Sequence, residues 1–330
     1  MTTETWAGKN VVVTGGIGLL GSHFVEELLA RGAAVSCLYR RDNRRVLPQL
    51  GESDRLRAVR VDLLDEAALA EVLDSVKPHV DMIIHCAVVS GPMPVRLNQP
   101  AHILDANMRV ASNILNAARR LDITNLVLLS SSDIYLTASE QPIREEDDFT
   151  QQMRYSPDGY YLSKNFAEIL AEAFRTEYGM NIYLPRLTSV YGPRDNFEPD
   201  TDRVVPSMFA KVVAGEPIEI WGDGSQTRTY MFVTDLVRAV LQMVEKGKYH
   251  TLNVGTSETV SVLQLAKLVC AALGEPERIR IDESKSGGRP SRTLDVSRLH
   301  EIIDFTPRPL VEGLRETVAW YRNRPRPTAG

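Results

Sequence analysis

The chain has 330 residues, 43% hydrophobic and 25% charged, with a formal net charge of −5. It is long enough for one large α/β core and a second lobe, and it offers nucleic acid no overall basic field. Cys37, Cys86 and Cys270 are widely spaced and read as free thiols, not a disulfide framework or metal site. No apolar run reaches a membrane span, so the expected setting is the cytoplasm.

Strand-like runs come at Val11–Thr14, Ala34–Leu38, Ala58–Val61, Met82–Ala87, Leu126–Ser130 and Ile182–Arg186. Their near-continuous apolarity suits strands covered on both faces, as in a parallel sheet. Helices are predicted between them at Leu19–Arg31, Glu66–Val76, His102–Leu121 and Tyr161–Tyr178. This alternation implies right-handed crossovers and a doubly wound Rossmann sheet that binds ligands at the carboxyl ends of its strands.

After Arg186 the composition shifts. The turn-rich stretch Gly192–Asp200 is expected to be a mobile substrate loop, followed by a helix near Val204–Ala214 and a strand at Ile218–Trp221. Arg228–Glu245 reads as a strand and helix returning to the main sheet. Ser284–Pro290 is a second flexible stretch, before a helix ending near Trp320. The expected organisation is a dinucleotide-binding domain over 1–186 and about 229–256, and a smaller, discontinuous α/β substrate lobe over 187–228 and 257–323. A frayed tail covers 324–330.

The first strand stops at Gly15-Gly16-Ile17-Gly18-Leu19-Leu20-Gly21. Glycines at this spacing allow a tight strand-to-helix turn and bring a pyrophosphate close to backbone N–H groups at a helix N-terminus, although a turn of this kind also needs glycine simply for packing. At the second strand end, where an acid would bond the ribose hydroxyls, stand Tyr39, Arg40 and Arg41. Guanidinium groups there grip a 2′-phosphate, which favours NADP(H) without excluding NAD(H). The plain alternative is arginines on a solvated loop. Asp62 and Leu63 follow the third strand, where Asp62 either meets the adenine or caps a helix. Small residues at Ala87 and Val88 allow close contact with ribose, and His85 reads as a packed strand residue.

The fifth strand ends in Ser130-Ser131-Ser132-Asp133, and Tyr160 stands one helical turn before Lys164. Together Ser131, Tyr160 and Lys164 form a hydride-transfer set. Ser131 orients the reacting oxygen, Tyr160 relays a proton, and Lys164, together with the nicotinium charge, lowers the phenol's pKa and binds the nicotinamide ribose.

At this point the chain resembles, along nearly its whole length, the extended short-chain dehydrogenase/reductases that act on nucleotide sugars. The matching motifs are TGGIGLLG, HCAVVSG, NMRVASNILNAARR, SSSDIY, YYLSK, SVYGPRDNF, VVPSMFAKV and IWGDGSQTRTYMFVTDLVRAV. Within that family, YGPRDNFEPDTDRVVPSMFAKV and DESKSGGRPSRTLDVSRL look most like the GDP-L-fucose synthases, NADP-dependent epimerase/reductases of GDP-4-keto-6-deoxymannose. The resemblance implies a GDP-sugar substrate bound through Trp221, Arg228 and Lys285, with Arg289 as a weaker phosphate contact. It adds Ser132, Arg194, Asn196, Val205 and Lys211 to the substrate site and Arg186 to the cofactor site. It also implies a homodimer through a four-helix bundle.

Two positions depart from that pattern. The cysteine and histidine that serve those enzymes as an epimerising acid/base pair are replaced by Asp133 and Arg194. An arginine is a poor acid, so ketone reduction is the expected core activity, with epimerisation resting on Asp133. The alternatives are a 4,6-dehydratase that uses Asp133, a nucleotide-sugar 4-epimerase or decarboxylase, and a non-catalytic dinucleotide-sensing protein. The last tends to lose the tyrosine or lysine, and both are present here.

Overall fold

The computed structural model describes residues 5–40, 46–76, 78–91, 93–135, 141–148, 156–198, 201, 203–285 and 291–324. The first half runs β1 (Asn10–Thr14), α1 (Leu19–Ala30), β2 (Ala34–Tyr39), β3 (Leu56–Arg60), α2 (Glu66–Asp74) and β4 (Met82–His85). It continues with α3 (Met93–Asn98), α4 (Pro100–Arg120), β5 (Asn125–Leu128), β6 (Ser130–Ser131), α5 (Gly159–Tyr178) and β7 (Asn181–Leu187). Next come β8 (Ser189–Tyr191), α6 (Val204–Val213), β9 (Ile218–Trp221), β10 (Thr227–Phe232), α7 (Val233–Lys246) and β11 (Thr251–Val254). The chain closes with β12 (Thr259–Ser261), α8 (Val262–Leu273), β13 (Ile279–Asp282), β14 (Ser291–Arg292), α9 (Ser297–His300) and α10 (Leu310–Asn323).

The main sheet has the order β11-β7-β5-β4-β1-β2-β3, with the short β6 paired to β7, and every pairing in it is parallel. Side-chain alternation explains why β1 is apolar throughout. Val11 and Val13 join Phe24, Leu28 and Leu236 in the core beneath α1 and α7. Val12 joins Ile83, Ile114, Leu115 and Phe174 beneath α2, α4 and α5 on the other face. Each fully buried valine contributes about 1.5–3 kcal/mol, so a charge at any of the three positions would break the sheet's centre. β1 pairs with both β2 and β4, and the order reverses there, which opens a crevice at their carboxyl ends.

α5 begins where the Asp158 carboxylate accepts bonds from the Tyr160 and Tyr161 amides, and it ends at Gly179, whose φ is 66°. This cap fixes the first turn of the helix that carries Tyr160 and Lys164. The smaller lobe gathers β12-β10-β14 with β8, a β13-β9 pair, and helices α6, α8 and α10 around Phe209, Phe232 and Leu314. The chain returns to the main sheet through α7 and β11, while β10, from Thr227 to Phe232, pairs within the smaller lobe.

The Gly192–Asp200 segment departs from the expected mobile loop along its described part. Phe197 is 5% exposed and packs against Phe209, Trp320 and Tyr321 at ring distances of 5.4, 5.9 and 5.2 Å. An aromatic side chain buried to that degree anchors the backbone on either side of it. Residues 286–290, most of the second stretch expected to be flexible, and 325–330 of the tail lie outside the described residues. Among the described residues, no helix is long and apolar enough to cross a membrane.

Candidate active site

A cavity of about 760 Å³ opens along the carboxyl ends of the main strands and reaches the smaller lobe. One end is built on the glycine turn. Gly15 has φ 63°, and a Cβ there would lie 2.9 Å from the Ala87 backbone, so β1 and β4 meet this closely only without a side chain. A Cβ on Gly21 would fall 2.2 Å from the Gly15 carbonyl oxygen, so the helix could not seat against the turn. Gly18 caps α1 without a side chain, and the first turn of α1 holds no acid. Its free N–H groups and positive dipole end therefore face an anion unopposed.

Ile17, Leu19, Leu20, Tyr39, Arg40, Asp62, Leu63, Ala87 and Val88 line the same cavity. Asp62 is not the helix cap: Asp65 caps α2, while Asp62 holds the Leu64 amide at 3.1 Å and borders the cavity. Arg60, which sequence reasoning missed, donates from Nε to the Arg40 carbonyl at 3.1 Å. Arg41 lies outside the described residues. His85 bonds Thr14 Oγ1 through Nδ1 at 2.7 Å, and burial lowers its pKa to about 3, which fits a packed, neutral ring.

At the far end the cavity brings together Ser131, Ser132, Asp133, Tyr160, Lys164 and Val205. Ser131 stands beside Tyr160 and pulls the phenol's pKa down, and its Oγ accepts the Asp133 amide at 3.1 Å. Lys164 Nζ donates to the Leu129 carbonyl at 2.6 Å and sits 5.6 Å from the centre of the Tyr160 ring. Burial, followed by the negative charge of Asp133, pushes Tyr160 up to about 12, against the pull of Ser131 and Arg96. Lys164 itself is lowered to about 8 by burial, with Glu168 one turn away opposing the shift. The phenol is therefore protonated at neutral pH.

Asp133 is also differently placed from a free base. Arg96 Nη1 lies 3.2 Å from one carboxylate oxygen, and Arg292 Nη1 bonds the other. Burial raises the carboxyl's pKa, but the two guanidiniums, Arg292 ahead of Arg96, overcome it and hold the group below the usual carboxylate value. Arg96 further bonds Asp158 and stands 4.5 Å over the Tyr160 ring. The sequence reading found neither Arg96 nor Arg292. It also missed Asn107, whose side chain bonds both the N–H and C=O of Val89 at 2.8 Å, and Arg203, which pairs with Asp195 at 2.7 Å.

Several expected contacts lie elsewhere. Arg186 is not a cofactor ligand: 2% exposed, it pairs with Glu168 and Asp148 behind the cavity wall. Arg194, expected in the substrate site, does not line the cavity. Its backbone is left-handed at φ 64°, and its side chain turns back to Glu26 on α1. Asn196 holds the Glu198 amide at 3.2 Å in a local turn. Trp221, Lys211, Arg228 and Lys285 do not line this cavity. Trp221 is 50% exposed on the smaller lobe, with Lys285 Nζ 5.0 Å above its ring and paired to Glu219. Arg289 lies outside the described residues. Among the described residues, no cluster of side chains could hold a metal ion.

Residues 11–255 match the model of the NAD dependent epimerase/dehydratase family. The chain belongs to that family. Among relatives of this epimerase/dehydratase, a dTDP-4-dehydro-6-deoxy-D-allose reductase from a Streptomyces species is 49% identical, over 98% of this chain and 99% of its own. The GDP-L-fucose synthase of Escherichia coli (strain K12) is more distant, at 26% identity over 95% of this chain and 96% of its own. The structure of dTDP-glucose 4,6-dehydratase from Streptomyces venezuelae with NAD bound superposes with a TM-score of 0.83 at 25% identity, covering 95% and 97% of the two chains. The enzyme thus has the Rossmann-like α/β fold of the family and a pyridine nucleotide as cofactor. The glycine turn, shaped by the absence of two Cβ atoms, fits a dinucleotide.

Proposed function

We propose that this enzyme reduces the ketone of a nucleotide-linked 4-keto-6-deoxyhexose, carried on dTDP, with NADPH preferred over NADH. The observation that carries the reading is the meeting of Ser131, Tyr160 and Lys164 in one cavity that also holds the glycine turn. The nicotinamide, when bound, supplies the hydride. Ser131 orients the carbonyl oxygen beside the phenol, and Tyr160 gives that oxygen its proton. A phenol near 12 is acid enough to protonate an alkoxide yet keeps its proton at neutral pH. Lys164, buried beside the ring, repels positive charge and favours ribose hydroxyls.

The high identity to the Streptomyces reductase supports dTDP over the GDP expected from sequence motifs. Arg40 at the cavity rim, with Arg60 tethered to its carbonyl, supports the choice of NADPH. The dehydratase reading, and epimerisation at a carbon beside the ketone, need a free carboxylate, and the pairing of Asp133 speaks against both. We also infer a homodimer through α4 and α5, which pack side by side and leave Ile169 and Tyr178 exposed on α5; sedimentation as a monomer would remove that inference.

The test supplies dTDP-4-dehydro-6-deoxy-D-allose and the GDP-linked 4-keto-6-deoxymannose in turn, each with NADPH or NADH, and follows cofactor absorbance and product mass. Stoichiometric oxidation of NADPH with the dTDP sugar is expected, and Tyr160→Phe should slow it by about 10²–10⁴-fold. Loss of water from dTDP-glucose, supplied alone and without net cofactor oxidation, would instead make the enzyme a 4,6-dehydratase.

A further inference from the structure

Two carboxylates line the cavity among the described residues. Asp62 sits beyond β3, whereas Asp133 stands next to the phenol and raises its pKa. A carboxylate beside a bound ketone is placed to remove a proton from a carbon flanking the carbonyl. That reaction would scramble stereochemistry or start an elimination, and a reductase has no use for it.

The surroundings of Asp133 deny it that role. One oxygen is held by Arg96 at 3.2 Å, the other by Arg292. Arg96 is itself fixed, with Nε 3.0 Å from Asp158 and its guanidinium stacked 4.5 Å over Tyr160. Arg292 comes from the smaller lobe, where β14 pairs with β10 and sets Arg292 opposite Arg228. Asp133 is thus gripped by one arginine from each side of the cleft, and its amide is tied to Ser131 at 3.1 Å. The side chains of Arg96, Asp133 and Arg292 are 13%, 20% and 22% exposed, dry enough for the pairing to be strong.

We propose that Arg96 and Arg292 determine the selectivity of the reaction. By occupying both oxygens of Asp133 they withhold it from the carbons beside the substrate carbonyl, so the cavity reduces the ketone without exchanging their hydrogens. The inference rests on the reductase reading above. Asp133 would take the proton, the C–H pair would become the C=C bond of an enol, and the carbonyl pair would move to oxygen, which Tyr160 protonates. Reversal in D2O would return a deuteron to carbon, because the proton on Asp133 exchanges with solvent.

The experiment incubates enzyme, oxidised cofactor and the dTDP-linked 4-keto sugar in D2O and reads deuterium at the flanking carbons by NMR. Reduction by the wild type with NADPH is measured first, so that failure of the reductase reading is seen separately. Wild-type enzyme should show only background exchange. Arg292→Met should raise exchange at least about tenfold, the change expected when a carboxylate that loses one of its two guanidiniums frees an oxygen and gains roughly one pKa unit of basicity. Arg292→Lys, which keeps a cation, should return it to background, and so should the Arg292→Met, Asp133→Asn double variant. A folded, cofactor-binding Arg292→Met enzyme with background exchange would overturn the proposal. So would exchange that persists without the Asp133 carboxylate, or rapid exchange by the wild type. If Arg292→Met fails to fold, Arg292→Gln carries the same expectation and the same refutation.

Discussion

Two arginine–carboxylate networks flank α5, and their surroundings give them different work. Behind the helix, Arg186 and Glu168 have side chains 2% and 1% exposed. The Arg186 guanidinium also meets Asp148, the Tyr135 hydroxyl at 2.9 Å and the Glu145 carbonyl at 2.6 Å, while Ser130 bonds Glu168. Every donor faces a protein acceptor, so this network ties β6, β7 and α5 together. In front of the helix, Arg96, Asp133 and Arg292 use the same two functional groups along a cavity wall, with Asp158 paired to Arg96 behind it. The first network is enclosed and concerns stability; the second borders space that a substrate can enter. Residue type alone does not separate the two. The difference is whether solvent and ligand can reach the pair.

The strongest way to break this contrast is Arg186→Met, which removes the guanidinium that Glu168 and Asp148 share in the interior. A loss of about 3–5 kcal/mol is expected in urea unfolding. A loss under about 1 kcal/mol would mean that the enclosed network is no more structural than the open one. Arg96→Met should invert the pattern. Stability should fall by only about 1–2 kcal/mol, because Arg292 still holds Asp133 and the Tyr160 and Tyr161 amides still bond Asp158. Turnover should fall roughly tenfold, as the cation that stacks on Tyr160 disappears. Equal damage to stability from both variants would erase the distinction.

The smallest effect sharpens the view of Lys164, which lies between the two networks. Its folded pKa is about 8, below the ordinary 10.5. Below about 8 both states bind the proton, and the fold bears the full cost of a buried charge. From about 8 to 10.5 only the unfolded chain holds it, so stability should rise with pH. Tyr160 acts oppositely: from pH 10 to about 12 the fold keeps a proton that the unfolded chain has released, and stability falls. Urea midpoints across this range should lose the rise in Lys164→Met and the fall in Tyr160→Phe. A flat wild-type profile would refute both shifts.

Much of the fold was readable because its signals are local. Val11 to Val13 is apolar on both faces, and the glycine turn and the Tyr160–Lys164 spacing are contained within a few residues. The cavity's charge balance was not readable. Arg96 and Arg292 meet on Asp133 across 37 and 159 positions, and nothing near either arginine marks the encounter. Arg186 was misassigned because its position near a strand's carboxyl end suggests a ligand contact. The corrective signal was present in Glu168, an acid four residues after Lys164 on a helix face that otherwise packs inward. An arginine inside an apolar strand requires such a partner. The Gly192–Asp200 segment misled for a related reason, since its polar composition concealed the one residue, Phe197, that pins it.

Asp158 ties the beginning of α5 to a residue 62 positions earlier. Asparagine, serine or threonine would start the helix about as well, since each offers an oxygen to the first amides. Only a carboxylate also retains the guanidinium above the phenol. The choice among otherwise interchangeable caps is therefore settled by a distant neighbour, and drift at position 158 is narrowed by a requirement that the helix itself does not impose.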